Sequence, residues 1–184
     1  LNRQNAELRD ANDRIRHGLQ AAARVQQSML PRANVVTPRV STAWTYVPTD
    51  ELAGDAIGLC LIDDRYLVSY VLDVSGHGVP AALVASMVKI AFAAEADRLD
   101  NPGVALANIN RTLCGSFQGA YVTACCGFID AIGGRLTYSS AGHPAPLLRR
   151  RDGRVEHLQE RGLLLAFDAH AQYPAAEVAL HRGD

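Results

Sequence analysis

Hydrophobic residues recur every seven positions along the first 30 residues of the chain, which contain no proline before Pro31. One series consists of Leu1, Leu8, Ile15, Ala22 and Met29. A second series, four residues further on, consists of Asn5, Asn12 and Leu19. A seven-residue repeat with asparagine at some core positions is typical of a parallel coiled coil. The pattern predicts a helix over residues 1–30 that forms the last part of a coiled-coil linker. The alternative is a surface helix that packs on its own domain.

Strand and helix patterns follow this helix in an order typical of antiparallel sheets. Alternating or apolar runs predict strands at residues 40–47, 57–62, 66–72, 121–129, 135–140, 147–151, 154–158 and 173–180. Longer apolar segments predict helices at residues 80–96 and 102–114. Two sets of hairpin strands thus enclose a pair of helices along the chain. We expect an α+β fold with antiparallel sheets and helices packed outside them, not a parallel βαβ array.

Composition narrows the class of protein. A chain of 184 residues with 48% hydrophobic and 20% charged residues predicts one globular domain with an appendage. The net charge of −1 gives no basic field for nucleic acid, and no apolar run approaches the roughly 20 residues of a membrane helix. The polar N-terminus does not resemble a signal peptide, and the four cysteines lack C-x-x-C spacing. We therefore expect a cytoplasmic protein with free thiols and no membrane or nucleic-acid partner.

Two acidic residues stand at the open end of the first predicted hairpin. If that hairpin turns on residues 63–65, Asp55 lies opposite Asp73. The Cβ atoms of directly opposed residues are about 4.5–5.5 Å apart, so two carboxylates there repel and favour a shared proton or a bound cation. A two-residue loop would instead put the acids on opposite faces of the sheet. A further alternative is that Asp55 caps a turn and Asp73 ends a strand, both in solvent.

Glycines beside both acids favour the metal interpretation. Gly54 precedes Asp55, and Gly76 and Gly78 follow Asp73. Glycine lets the backbone turn sharply or approach a ligand closely. Mg²⁺ and Mn²⁺ prefer carboxylates, carbonyl oxygens and water. His77, between the two glycines, has no partner at metal-ligand spacing, so we interpret it as a hydrogen-bonding loop residue.

Six short motifs resemble one family of proteins. The segment 73–82, DVSGHGVPAA, resembles the D-V-S-G-H-G-x-x-A-A signature of PPM-type bacterial serine/threonine protein phosphatases of the SpoIIE/RsbU-like branch. Five other segments resemble further motifs of that family in the same order: Gln26–Pro31, Leu52–Asp55, Asn108–Asn110, Tyr121–Ala124 and Ala141–Pro144. The resemblance runs from about residue 24 to residue 184.

The resemblance implies an αββα sandwich of two antiparallel sheets flanked by helices, with two Mn²⁺ or Mg²⁺ ions between the sheets. Asp55 and Asp73 would be the catalytic metal ligands, together with the carbonyl of Val74. A metal-activated water would attack the phosphorus of phosphoserine or phosphothreonine directly. The glycine loop would shape the site. The resemblance also implies a structural turn formed by Gly142, His143 and Pro144.

The resemblance further implies a division of the chain into a linker helix at residues 1–30 and a phosphatase domain at residues 31–184. Two departures from the G-G-D-x-x-D motif are present, since Ala53 replaces the first glycine and Gly58 stands where the second acid would be. The family continues beyond the Gly183–Asp184 position with a segment that carries another metal-binding aspartate. We therefore expect the C-terminal part of the domain to be missing, and metal to bind this chain weakly or not at all.

The function that this resemblance implies is a signalling phosphatase of bacteria. Its substrate would be a phosphorylated STAS-type anti-sigma factor antagonist, and its input an upstream sensor or response-regulator receiver domain. A homodimer through the N-terminal helix would carry the signal. The alternative is a pseudophosphatase that binds a sigma-factor regulator as an adaptor without turnover, and the departures at Ala53 and Gly58 motivate it.

Overall fold

The computed structural model describes residues 2–96, 100–117 and 119–184. Its helices are α1 (Asn2–Ser28), α2 (Gly78–Ala94) and α3 (Pro102–Leu113). Its strands are β1 (Ala56–Ile62), β2 (Tyr66–Val74), β3 (Val122–Asp130), β4 (Arg135–Ala141), β5 (Leu147–Arg149), β6 (Val155–His157) and β7 (Ala175–Ala179). Leu1, the first member of the heptad series, lies outside the described residues. Within these ranges, no helix is long and apolar enough to cross a membrane.

Five strands form one sheet in the order β1-β2-β3-β4-β7, and β5 pairs with β6 in a second sheet. Every strand pair in both sheets is antiparallel. The predicted class of antiparallel sheets with helices packed outside is confirmed. The long helix predicted at the N-terminus is confirmed as α1, which is 27 residues long.

Helices α2 and α3 pack on one face of the larger sheet. Pro80 stands in the first turn of α2, where a missing N–H costs no helical hydrogen bond. The side chain of Asn101 caps α3 by accepting from the Val104 N–H at 3.2 Å. The helices bury a continuous core against alternate residues of the strands, which includes Val68, Leu72, Val74, Val84, Val88, Phe92, Leu106, Ile109, Val122 and Cys126.

The opposite face of the larger sheet meets the β5–β6 hairpin. Tyr138 on β4 packs there with Leu148 and with Leu158, which follows β6. This small cluster packs the second sheet against β4 and β7. Asp73, one of the two predicted acids, lies on this same face near the end of β2, because its neighbours Leu72 and Val74 face the helical core.

β1 forms one edge of the larger sheet, next to α2. The ammonium group of Lys89 on α2 donates a hydrogen bond of 2.6 Å to the backbone carbonyl of Ile57 on that edge. Partial burial lowers the pKa of Lys89. A helix side chain therefore occupies an edge carbonyl that would otherwise be open to another strand.

The strand predicted over residues 40–47 is wrong. Val36 and Ser41 form an isolated bridge, and residues 42–47 belong to no strand. The backbone polar groups of this region bond locally, because the Val40 N–H donates to Thr37 Oγ1 at 3.0 Å and the Thr42 N–H to the Val35 carbonyl at 2.8 Å. The alternation that suggested a strand is one of burial without strand pairing, because Thr42, Trp44 and Tyr46 are half-buried and the residues between them are exposed.

Candidate metal centre

The first hairpin has the loop that the pattern predicts. Ile62 pairs with Tyr66, so residues 63–65 form a three-residue loop. Asp63 and Asp64 both have φ of 52°, in the left-handed region, which aspartate tolerates better than most residues. The register that a turn on residues 63–65 implies is confirmed, and it places Ile57 opposite Val71.

This register brings the two predicted acids together. Ala56 pairs with Leu72 in the last ladder position, so Asp55 lies just beyond β1 and beside Asp73 near the end of β2. Both side chains are exposed at this end of the sheet. Partial burial, the negative charge of Asp73 and a hydrogen bond between the two side chains raise the pKa of Asp55. An acid pair of this kind favours a proton or a cation between its members.

Gly54 holds the Asp55 loop tightly against the end of β2. The Val74 N–H donates to the Gly54 carbonyl at 3.3 Å. A Cβ atom at position 54 would lie 2.7 Å from the carbonyl oxygen of Val74 and 3.2 Å from the Cβ of Ala81. Any other residue here would push the loop away from the strand, so the glycine is required for Asp55 to approach Asp73.

The glycine loop after β2 adopts the backbone that glycine permits. Gly76 has φ of +93° and Gly78 has φ of +72°. The His77 side chain is 88% exposed, and its Nδ1 lies 3.3 Å from Oδ2 of Asp50. This contact is consistent with the interpretation of His77 as a hydrogen-bonding loop residue. The sequence does not indicate that Asp50 is its partner.

Thr123 and His143 extend the polar site onto β3 and the turn after β4. Thr123 is the cross-strand neighbour of Asp73, and its Oγ1 lies 3.5 Å from the Asp73 carbonyl and 2.9 Å from Nδ1 of His143. Burial lowers the pKa of His143, and the charge of Asp73 partly opposes that effect. The sequence indicated His143 as part of a turn and gave no sign that it lies near the acids.

The backbone at residues 142–144 is consistent with the predicted turn. Gly142 has φ of +66°, and a Cβ atom there would lie 2.6 Å from the side chain of Leu164. Pro144 follows His143 at the rim of a groove of about 620 Å³ on the face that carries the acids. The apolar side chains of that groove include Trp44, Ile57, Leu59, Val71, Ile129, Leu136 and Tyr138.

The oxygens at this site fit a hard divalent cation. Among residues 2–96, 100–117 and 119–184, no group of three or more His, Cys, Asp or Glu side chains is arranged to hold a metal ion. The carboxylates of Asp55 and Asp73 and the carbonyl of Val74 are nevertheless of the oxygen type that Mg²⁺ and Mn²⁺ prefer. Mg²⁺ is commonly bound by one or two carboxylates, with water and substrate phosphate as its other ligands. The donor set here has that composition.

The fold of this chain is similar to that of PP2C domains. The chain is similar to the solved structure of the SiaA-PP2C domain of Pseudomonas aeruginosa, with a TM-score of 0.73 and 20% sequence identity. The match covers 94% of this chain and 70% of that one. At this identity the likeness establishes the fold.

A comparison of the sequence with protein families identifies the family of this chain. The model of the family described as stage II sporulation protein E (SpoIIE) matches residues 63–184, about two thirds of the chain. The chain therefore belongs to the SpoIIE family.

Two curated relatives are phosphatases of Bacillus subtilis (strain 168). The chain is 27% identical over 180 residues to phosphoserine phosphatase RsbU, across 96% of this chain and 53% of that protein. It is 30% identical over 145 residues to phosphoserine phosphatase RsbP, across 76% of this chain and 36% of that protein. The chain thus spans about half the length of the first relative and about a third of the second.

Removing the charge of Asp55 is expected to stabilise the metal-free protein. A raised folded-state pKa means that ionisation of Asp55 costs folding free energy, so the stability it provides is present at low pH and is lost as pH rises through the folded pKa. Asp55→Asn should raise the melting temperature at pH 7 by about 1–2 °C, a small effect because the side chain is largely exposed and screened. Calorimetry in chelator at several pH values measures it.

The gain from Asp55→Asn should disappear in acid, where Asp55 of the parent protein is itself protonated. Asp13→Asn, an exposed change on α1, is the matched control and should leave the melting temperature unchanged. A lower melting temperature for Asp55→Asn at pH 7 would contradict repulsion between the two acids.

Proposed function

We propose that this chain is the output domain of a metal-dependent protein phosphatase. Its substrate in this proposal is phosphoserine or phosphothreonine on a STAS-type anti-sigma factor antagonist. The observation that carries the proposal is the Asp55–Asp73 pair, held at one strand end by the hairpin register and by the close fit of Gly54. The two curated relatives, both named phosphoserine phosphatases, support the same activity.

In this proposal, Asp55, Asp73 and the carbonyl of Val74 hold Mn²⁺ or Mg²⁺, two ions in the complete site. Bound there, such ions would supply a water molecule of lowered pKa to attack phosphorus as the bond to the serine or threonine oxygen breaks, and positive charge to offset that on the phosphoryl oxygens. The chain's own part is to hold these oxygens in place. Thr123, hydrogen-bonded to the Asp73 carbonyl, fixes the end of β2 against β3. No side-chain nucleophile is required.

The test of the proposal is phosphate release by the full-length protein from a phosphorylated STAS-domain protein. We expect release that depends on Mn²⁺ or Mg²⁺ and stops when a chelator is added. Tight binding of the phosphorylated protein with no release at any metal concentration would instead identify an adaptor, the alternative that Ala53 and Gly58 motivate.

We also propose that α1 is a linker helix that pairs with a second copy and carries a signal from an upstream sensor or receiver domain. Leu8 and Ile15, one heptad apart, are each 62% exposed. Two such apolar side chains on one helix face are suited to the core of a coiled coil. The division into a linker at residues 1–30 and a catalytic domain at residues 31–184 belongs to this proposal.

Sedimentation equilibrium tests the dimer. We expect the unmodified chain to dimerise in a concentration-dependent manner and the double variant Leu8→Asp, Ile15→Asp to be monomeric, because each charge would be buried in the pair. Gln20→Ala, an exposed change between the apolar positions, should dimerise like the unmodified chain. A strictly monomeric parent chain at high concentration would rule out pairing through α1.

The cytoplasm is the compartment we propose. Four thiols are free in the structure: Cys60, Cys114, Cys125 and Cys126. Burial raises the pKa of Cys125 to about 11 and that of Cys126 to about 12, which keeps both protonated and unreactive. Free thiols are typical of reducing compartments.

A further inference from the structure

The last turn of α1 is bonded to the loop that carries Asp55. The Gln26 side-chain Nε2 donates to the Ala53 carbonyl at 2.7 Å, and the Ala53 N–H donates to Gln26 Oε1 at 3.2 Å. The amide therefore satisfies both backbone polar groups of one residue. Only a side-chain amide offers a donor and an acceptor side by side in one plane, so no other common residue type can replace both bonds.

Ala53 is joined directly to the candidate metal site. Gly54 follows it, and the Gly54 carbonyl accepts from the Val74 N–H at 3.3 Å. The loop is thus held from two sides, by α1 through Ala53 and by β2 through Gly54. Asp55 is the next residue, so the direction of its carboxylate depends on both attachments.

The bond from Gln26 differs from the side-chain hydrogen bonds of Arg14 and Ser28 on the same helix. Arg14 bonds to the Asp10 carbonyl and Ser28 to the Val25 carbonyl, both within the helix. Gln26 instead reaches 27 positions along the chain, and its bonds are partly buried. Partial burial makes the pair stronger than the same bonds would be in open solvent.

We propose that Gln26 is a positioning residue for the metal site. Its amide holds the Ala53 peptide so that Asp55 stays beside Asp73, and the end of α1 thereby sets the geometry in which the two carboxylates receive a cation. A change in the position of α1 would therefore alter the geometry of the two carboxylates through Gln26. The inference rests on the proposed role of Asp55 as a metal ligand.

The test compares four versions of the full-length protein: the unmodified protein, Gln26→Ala, Gln26→Glu and Gln27→Ala. Mn²⁺ binding is followed by the electron paramagnetic resonance signal of free Mn²⁺, and thermal melting in chelator confirms that each chain is folded. Loss of a residue that orients a metal ligand commonly weakens binding about 10- to 100-fold. We expect that loss for Gln26→Ala and Gln26→Glu, because glutamate keeps an acceptor but turns an oxygen toward the Ala53 carbonyl.

Gln27→Ala is the matched control, since Gln27 is the same residue type one position later and is exposed. It should bind Mn²⁺ like the unmodified chain. In phosphate-release assays, both Gln26 variants should need more Mn²⁺ for half-maximal rate, with kcat largely recovered at saturating Mn²⁺. This separation of metal requirement from kcat indicates positioning when the melting curves show that the variants are fully folded without metal, because metal binding could also offset a loss of folding stability.

Unchanged Mn²⁺ affinity in both folded Gln26 variants would overturn the inference, and so would a lower melting temperature with unchanged affinity. Different results would contradict the proposed function. If the unmodified chain bound Mn²⁺ but released no phosphate, the function would fail while the positioning role could still be read from the binding curves. If the unmodified full-length protein bound no Mn²⁺ at all, both would be overturned.

Discussion

Asp73→Asn is expected to reduce metal-dependent phosphate release by at least about 100-fold, which is the upper end of what loss of an outer-shell partner costs. Asparagine keeps the size of the side chain and removes the charge that balances a cation beside Asp55. The register and the fold do not depend on that charge, because Asp73 is exposed on the face opposite the helical core. The variant should therefore fold normally and lose both Mn²⁺ binding and activity.

The control for Asp73→Asn is Asp64→Asn, which makes the same chemical change in the loop at the far end of the same hairpin. Asparagine tolerates the left-handed backbone of that position, so activity and Mn²⁺ affinity should be unchanged. Steady-state phosphate release and circular dichroism measure the two effects. Full activity in a folded Asp73→Asn variant would contradict the metal role of the acid pair and would leave the fold without an assigned catalytic centre.

Asn110→Leu is expected to cause the largest loss of stability among the substitutions considered. Asn110 on α3 is completely buried, and its Nδ2 donates to the Asp168 carbonyl while its Oδ1 accepts from the Ala166 N–H, both at 2.7 Å. Leucine would leave both backbone groups buried without a partner. The cost is about 2–4 kcal/mol, or about 5–15 °C in melting temperature for a protein of this size.

Asn108→Leu serves as the control, because Asn108 lies on the same helix, is partly exposed and bonds to the Glu95 carboxylate at 2.8 Å. Water can replace that bond, so we expect a loss of no more than about 1 kcal/mol. Urea unfolding of both variants gives the comparison. Equal losses would mean that the buried amide contributes no more than a surface one, and that the segment at residues 165–168 is held by other contacts.

The sequence predicts the parts of this protein that depend on periodicity. The register of the first hairpin follows from a period of two and a loop of known length, and it correctly puts Asp55 beside Asp73. The helix α1 follows from its long uninterrupted pattern. The error at residues 40–47 has the same origin, since alternation reports which side chains face the sheet and not whether the backbone pairs with a strand.

The remaining contacts at the site carry no periodic signal. Gln26 bonds to the backbone of Ala53, and any residue presents the same backbone to a partner. The proximity of Thr123 to His143 depends on how the turn after β4 folds back over the sheet. The sequence predicts both β2 and β3, but it does not give the alignment of one strand with the other. The cross-strand pairing of Thr123 with Asp73 therefore comes from the structure.

The Lys89 contact with the edge of β1 has a practical consequence. Lys89 is the single lysine of these 184 residues, so this chain carries one side-chain amine. Amine-reactive reagents attack the uncharged form, which a lowered pKa makes more abundant, while burial restricts access. Acylation would remove the donor from the Ile57 carbonyl and expose the edge of the strand that leads to Asp55. Immobilisation or labelling through the amine would therefore favour self-association. A thiol-reactive label on the exposed Cys60 would modify the same strand.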